Sequence, residues 1–203
     1  MTIISLLDRA TNTCSSIAVL VTTSCLFTFV VFPRLRLSLN EEEAGSPPDL
    51  RFGYTESELN SWYDAIGEDG CRAYTKIAIL DIICYAPSYT LLFGGFLVKM
   101  ARRASVDTQI GLLMPLVMFC DVVETIIPLY GCFLFPKERL PLPLVALSAA
   151  CNKLKWTLFM VCNVVLSFLF FAAVLKTAVK KKEKMFNKKN TTKSKKKNAK
   201  KKE

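Results

Sequence analysis

Four stretches of the chain are apolar for long enough to matter: residues 17–32, 77–98, 110–134 and 156–175. About 20 residues at ~1.5 Å each cross the hydrocarbon core of a bilayer, and only a helix satisfies its own backbone there. The pattern therefore predicts an all-α membrane protein, a four-transmembrane-helix bundle. The first stretch reads as an anchor and not as a cleaved signal peptide, because no small-x-small site follows it, and Pro33 is expected to close it. Between the first two stretches lies a patterned loop. Thr55-Glu56-Ser57-Glu58 forms a capping box, Leu59, Trp62, Tyr63 and Ile66 recur at helical spacing, and Gly67 supplies a stop. This predicts a short amphipathic helix, either interfacial with its aromatic face on the bilayer or acting as a lid over a membrane cavity.

Charge sets the orientation. Residues 176–203 hold 14 Lys and 2 acids, whereas residues 1–175 hold 13 Lys/Arg and 15 Asp/Glu, so the net +10 is the property of a tail. Lys99, Arg102 and Arg103 follow the second stretch. By the positive-inside rule these segments are cytosolic, and an even number of spans puts both termini there. The organisation is then a cytosolic N-terminus (1–16), a membrane domain (17–179) with lumenal loops at 33–76 and 135–155, and a disordered Lys-rich cytosolic tail (180–203). The sequon Asn190-Thr191-Thr192 falls on the cytosolic side. Basic residues beside a membrane each contribute about 1 kcal/mol of attraction to anionic headgroups. Membrane lipids are thus the expected partners, and with almost no aromatic residues in the tail a nucleic acid is not. Lys200 and Lys201 fit a terminal dilysine pattern, which resembles a retrieval signal read by coat subunits and points to the endoplasmic reticulum.

The absence of histidine removes His-based metal sites and Ser-His-Asp or Cys-His catalysis, and nothing calls for a cofactor. Eight cysteines without a C-x-x-C read as packed thiols; Cys71 and Cys151 are the two in lumenal loops, where a bridge between them is an option.

Candidate chemistry lies inside the spans, where an ionisable residue costs roughly 2.5–3.5 kcal/mol and is retained when paired, solvated or useful. Asp81 sits in the second span, and Asp121 and Glu124 share one face of the third by their i,i+3 spacing. Counting depth from the lumenal side sets Lys155 level with Asp81 and Asn163 level with Glu124. Tyr85 and Tyr89 continue the Asp81 side, and Pro87 and Pro128 free backbone carbonyls for the same lining. These groups either hold the helices together, line a ligand pocket open to the lumenal leaflet, or carry protons.

Asp49-Leu50-Arg51-Phe52-Gly53-Tyr54, Gly67-x-x-Gly70-x-x-x-Tyr74, Asp81, Pro87-x-Tyr89, Asp121-x-x-Glu124 and Lys155-Trp156 together resemble a family of small four-span membrane proteins of unassigned function, over about residues 15–178. Where that family has Asp-x-x-Glu-Asn, Thr125 stands in place of the Asn. In architecture the chain is also similar to the sigma-2 receptor and emopamil-binding-protein (EXPERA) superfamily. That resemblance implies a membrane cavity whose buried acids, here Asp81 and Glu124, bind sterol-like or cationic amphiphilic molecules. The histidines of its catalytic members are missing, which disfavours sterol isomerisation. The expectation is binding of a hydrophobic or amphiphilic small molecule by Asp81, Tyr85, Tyr89, Asp121, Glu124, Lys155 and Asn163. The alternatives are a non-catalytic scaffold subunit of a membrane complex or a proton-coupled transporter, and whether any reaction is catalysed stays open.

Overall fold

A computed structural model describes residues 2–39 and 41–199, with side chains for 2–39, 42–179 and 182. The described chain is helical, without strands. Four helices are long and apolar enough to cross a membrane. A short helix, α1 (Ile3–Ala10), precedes them, and the four are α2 (Cys14–Arg36), α3 (Glu56–Ala104), α4 (Thr108–Leu134) and α5 (Leu142–Ala199). Phe29, Phe119, Phe133, Phe168 and Phe171 point outward, 63–74% exposed. That apolar exterior suits lipid and not water.

Local chemistry explains the helix ends. Thr2 and Thr13 cap α1 and α2 by accepting from the amides of Ser5 and Ser16 at 3.3 and 3.0 Å. α2 does not stop at Pro33. A widened π turn, Phe27–Val31, precedes the proline and removes the tight i−4 geometry that its ring would violate, so the helix continues to Arg36. The same device recurs in α3, where the π turn Asp81–Tyr85 leads into Pro87.

The capping box at the start of α3 is present, with Glu58 N donating to Thr55 Oγ1 at 3.2 Å and Thr55 N donating to Glu58 Oε2 at 2.7 Å. Gly67 adopts φ 62°, ψ −170°, a non-helical conformation that ends the first short helix and opens the next across a kink. The predicted loop helix is therefore the first three turns of α3. Its apolar face is buried against the bundle: Leu59, Trp62 and Tyr63 are 1% exposed, Trp62 meets Tyr74 edge-on at 5.0 Å, and the Tyr63 hydroxyl donates to Pro128 O at 2.9 Å. The rings on this face find protein partners.

Two buried clusters hold the bundle. One, at the end carrying the 37–55 and 135–141 segments, joins Leu39, Trp62, Tyr63, Tyr74, Cys71, Cys132 and Leu140. The other, toward the basic end, joins Leu97, Met114, Val117 and Cys162. α1 packs on α3 at a glycine notch, where a Cβ on Gly95 would lie 2.7 Å from the Leu7 carbonyl. α2 is peripheral and has no buried residue in its apolar window. Beyond the last span the described backbone is helical to Ala199. No Gly or Pro follows Pro143, and Lys and Ala are good helix formers, so nothing local interrupts the helix. Lys200 and Lys201 lie outside the described residues.

Candidate functional site

The buried stripe of α5 runs through positions 145, 148, 152, 155, 159, 162, 166, 169 and 173, an alternating three-four spacing. It brings Lys155, thirteen residues past the start of α5, against the acidic face of α4. The Lys155 ammonium, with three donors, pairs with Asp121 Oδ1 at 3.0 Å, pairs directly with Glu124 Oε2, and donates to the Asp49 carbonyl at 3.1 Å. Each carboxylate has a second partner: Tyr89 Oη donates to Asp121 Oδ2 at 2.7 Å, and Asn152 Nδ2 donates to Glu124 Oε1 at 2.6 Å. Glu124 and Asn152 are fully buried, and Lys155 is 7% exposed. A buried charge is tolerable when paired and hydrogen-bonded in this way.

Asn152 also brackets the segment between α2 and α3. Its Oδ1 accepts from Gly53 N at 2.6 Å and its Nδ2 reaches Pro48 O at 3.3 Å. Tyr54 shares a hydrogen bond with Ser148, whose Oγ donates to the Glu124 carbonyl at 2.9 Å. That carbonyl is the one left free by Pro128, four residues on, as the proline reading anticipated. Burial pushes the Tyr54 hydroxyl above the usual phenol range.

The bracketed segment roofs a cavity of about 390 Å³. The cavity lining mixes polar groups, Asp49, Asp81, Asp121, Tyr74 and Lys155, with apolar ones, Phe32, Ile77, Phe93, Val117, Trp156 and Phe159. Rings run edge to edge along the wall, from Phe32 to Tyr85 at 5.2 Å and Tyr85 to Tyr89 at 5.4 Å, and Thr28 of α2 donates to Tyr85 Oη at 3.2 Å. Buried polar atoms on this lining without a hydrogen-bond partner among the described residues include Asp49 Oδ1, Tyr74 Oη and Trp156 Nε1. Asp81 receives one long bond, from Thr125 Oγ1 at 3.5 Å. Burial raises the Asp49 carboxyl above the usual range, against the lowering pull of Lys155 and Arg36.

Of the residues expected at the site, Asp81, Tyr85, Tyr89, Asp121 and Lys155 line the cavity, and Glu124 stands behind Lys155. Lys155 serves Asp121 and Glu124 and not Asp81. Asn163 does not belong. It is exposed, one position past the buried stripe at Cys162, and its Nδ2 donates to Phe159 O of its own helix at 2.7 Å. The asparagine of the network is Asn152. Asn152 and Ser148 carry a sequence signal, since stepping back from Lys155 by three and then four residues reaches both; Asp49 has no such spacing signal, because it arrives from the segment between α2 and α3, and only the motif that contains it pointed to it. Among the described residues no group of three or more Cys, Asp or Glu could hold a metal ion. Cys71 is in contact with Cys132, not with Cys151, and all eight thiols are free.

Comparison with protein-family models, curated proteins and solved structures finds no match. Both resemblances therefore stand on the residues that suggested them.

Proposed function

We propose that this multi-pass membrane protein binds a hydrophobic or amphiphilic small molecule, lipid or sterol-like, whose hydrogen-bond-donating head meets Asp49 and Asp81 and whose apolar body lies along Phe93, Trp156 and Phe159. The observation that carries the reading is a cavity of mixed polar and apolar lining with polar atoms left over. Its volume suits about 13 water-sized groups, enough for a headgroup and part of a hydrocarbon body. An unpartnered buried carboxylate oxygen costs on the order of 1–3 kcal/mol, which a ligand donor offsets.

A scaffold role has its own support, because the Lys155–Asp121–Glu124–Asn152 network is saturated within the protein. The two readings divide the polar residues: saturated groups hold the helices, under-satisfied groups face the ligand. The proposal keeps both termini cytosolic on the Lys/Arg asymmetry, and reticular retrieval by Lys200 and Lys201 belongs to it.

The test is a lipid inventory of the purified protein by mass spectrometry, with the thermal shift each candidate lipid induces in Asp81→Asn and Asp49→Asn. Losing a charge-assisted hydrogen bond weakens binding about 10- to 150-fold while the fold survives. Wild-type lipid content and an unchanged shift in both variants would leave the scaffold reading in place.

A further inference from the structure

We propose that Cys71 and Cys132 are a disulfide-forming pair that locks α3 to α4 beside the cavity. Of the eight free cysteines, these are the two that share one buried cluster, at 4% and 8% exposure, and their thiols interact with each other. The two helices are held together beside them, where the Tyr63 side chain lies over Gly131 and its Oη donates to Pro128 O. Buried cysteine is ordinarily a small apolar residue, and one such residue needs no explanation. Two facing each other across a helix contact form a site for oxidation.

The chemistry is thiol–disulfide exchange with a small or protein disulfide. The Cys71 thiolate attacks one sulfur of the oxidant, the oxidant's S–S bond breaks, and one thiol leaves. The Cys132 thiolate then attacks Cys71 Sγ in the mixed disulfide, forming the Cys71–Cys132 bond and releasing the second thiol. Both protons lost by the protein end on the oxidant's two thiols. Gly67, one turn before Cys71, breaks the helix at this end of the bundle. On the proposed topology this end faces the lumen, where such exchange partners operate. The bond reaches the cavity through Tyr74, three residues after Cys71 and part of the lining. This inference does not depend on what the cavity binds.

The experiment uses the full-length protein in detergent, fully reduced and then treated with diamide, which takes up the two hydrogens as it becomes a hydrazine. The expected product is monomeric, lighter by two hydrogens, has two fewer maleimide-reactive thiols, and yields on proteolysis without reductant a peptide pair joining Cys71 to Cys132. Cys71→Ser and Cys132→Ser each abolish the change, Cys151→Ser leaves it intact, and the oxidised wild type melts higher than the reduced. The wild-type peptide map needs no variant to fold. A bridge from Cys71 to Cys151, one from Cys120 to Cys151, a covalent dimer, or retention of all thiols under diamide that oxidises dithiothreitol would each overturn the proposal.

Discussion

Replacing Lys155 with Met tests the saturated network most directly, since the thioether keeps the length of the stem and removes the charge. Lys155 is nearly buried and makes three polar contacts, two of them to the carboxylates of α4. Without it Asp121 retains Tyr89 and Glu124 retains Asn152, but neither retains a counter-charge. Breaking a buried pair from one side costs about 3–5 kcal/mol, which at about 2–4 °C per kcal/mol for a chain of this size lowers the melting midpoint by about 6–20 °C. Adding Asp121→Asn and Glu124→Gln to Lys155→Met should recover much of the loss, because neutral amides no longer need the ammonium. The measurement is thermal unfolding in detergent for the single, the double-neutral and the triple variants as a cycle. A loss below about 1 kcal/mol for Lys155→Met, or no recovery in the triple variant, would refute the claim that the ion network holds α4 to α5.

Asp49 gives a prediction of opposite sign. Its carboxyl is raised on folding by burial, so the folded state binds the proton more tightly than the unfolded one and stability falls as pH rises above the ordinary carboxylate range. Asp49→Asn should therefore stabilise the ligand-free protein at pH 7, with the advantage vanishing toward pH 4 in melts recorded against pH. Gly95→Ala should loosen α1 from α3, costing about 1–3 kcal/mol, because the added methyl meets Thr11 and the Leu7 carbonyl; limited proteolysis within the first 13 residues should accelerate, and unchanged proteolysis would mean the notch is not a packing contact. Sequons engineered near Ser46 and Glu138 should be glycosylated in microsomes while native Asn190 is not, and modification of Asn190 would reverse the orientation.

The spans were legible because a bilayer imposes a length and a polarity on anything that crosses it, and the four apolar stretches met both. Their ends were less so. Pro33 stops an ordinary helix, but the turn before it widened, and no residue in Phe27–Val31 announces that change. Gly67 was legible as a break, but that a second helix starts directly after it, running through Gly70 to Leu80, is not announced by the glycine. At the site, the shared face of Asp121 and Glu124 followed from spacing alone. Choosing between Asn152 and Asn163 required the phase of α5, and depth counting does not supply a phase. Asp49 and Tyr54 reach the site through a segment whose path depends on Asn152 and Ser148, contacts about 100 residues away in sequence.

Saturation of Lys155 also bears on how the chain enters a membrane as it is made. Synthesis delivers α4 first, so Asp121 and Glu124 arrive in the bilayer before their counter-ion exists, at roughly 2.5–3.5 kcal/mol each on the insertion scale. The ammonium that relieves them comes only after the short 135–141 connection, thirteen residues past the start of α5. On the proposed topology α4 should therefore insert most readily as half of a helical hairpin, released laterally once Lys155 has emerged. A nascent chain truncated before Lys155 should leave α4 held at the insertion machinery, in contact with whatever polar surface is offered there.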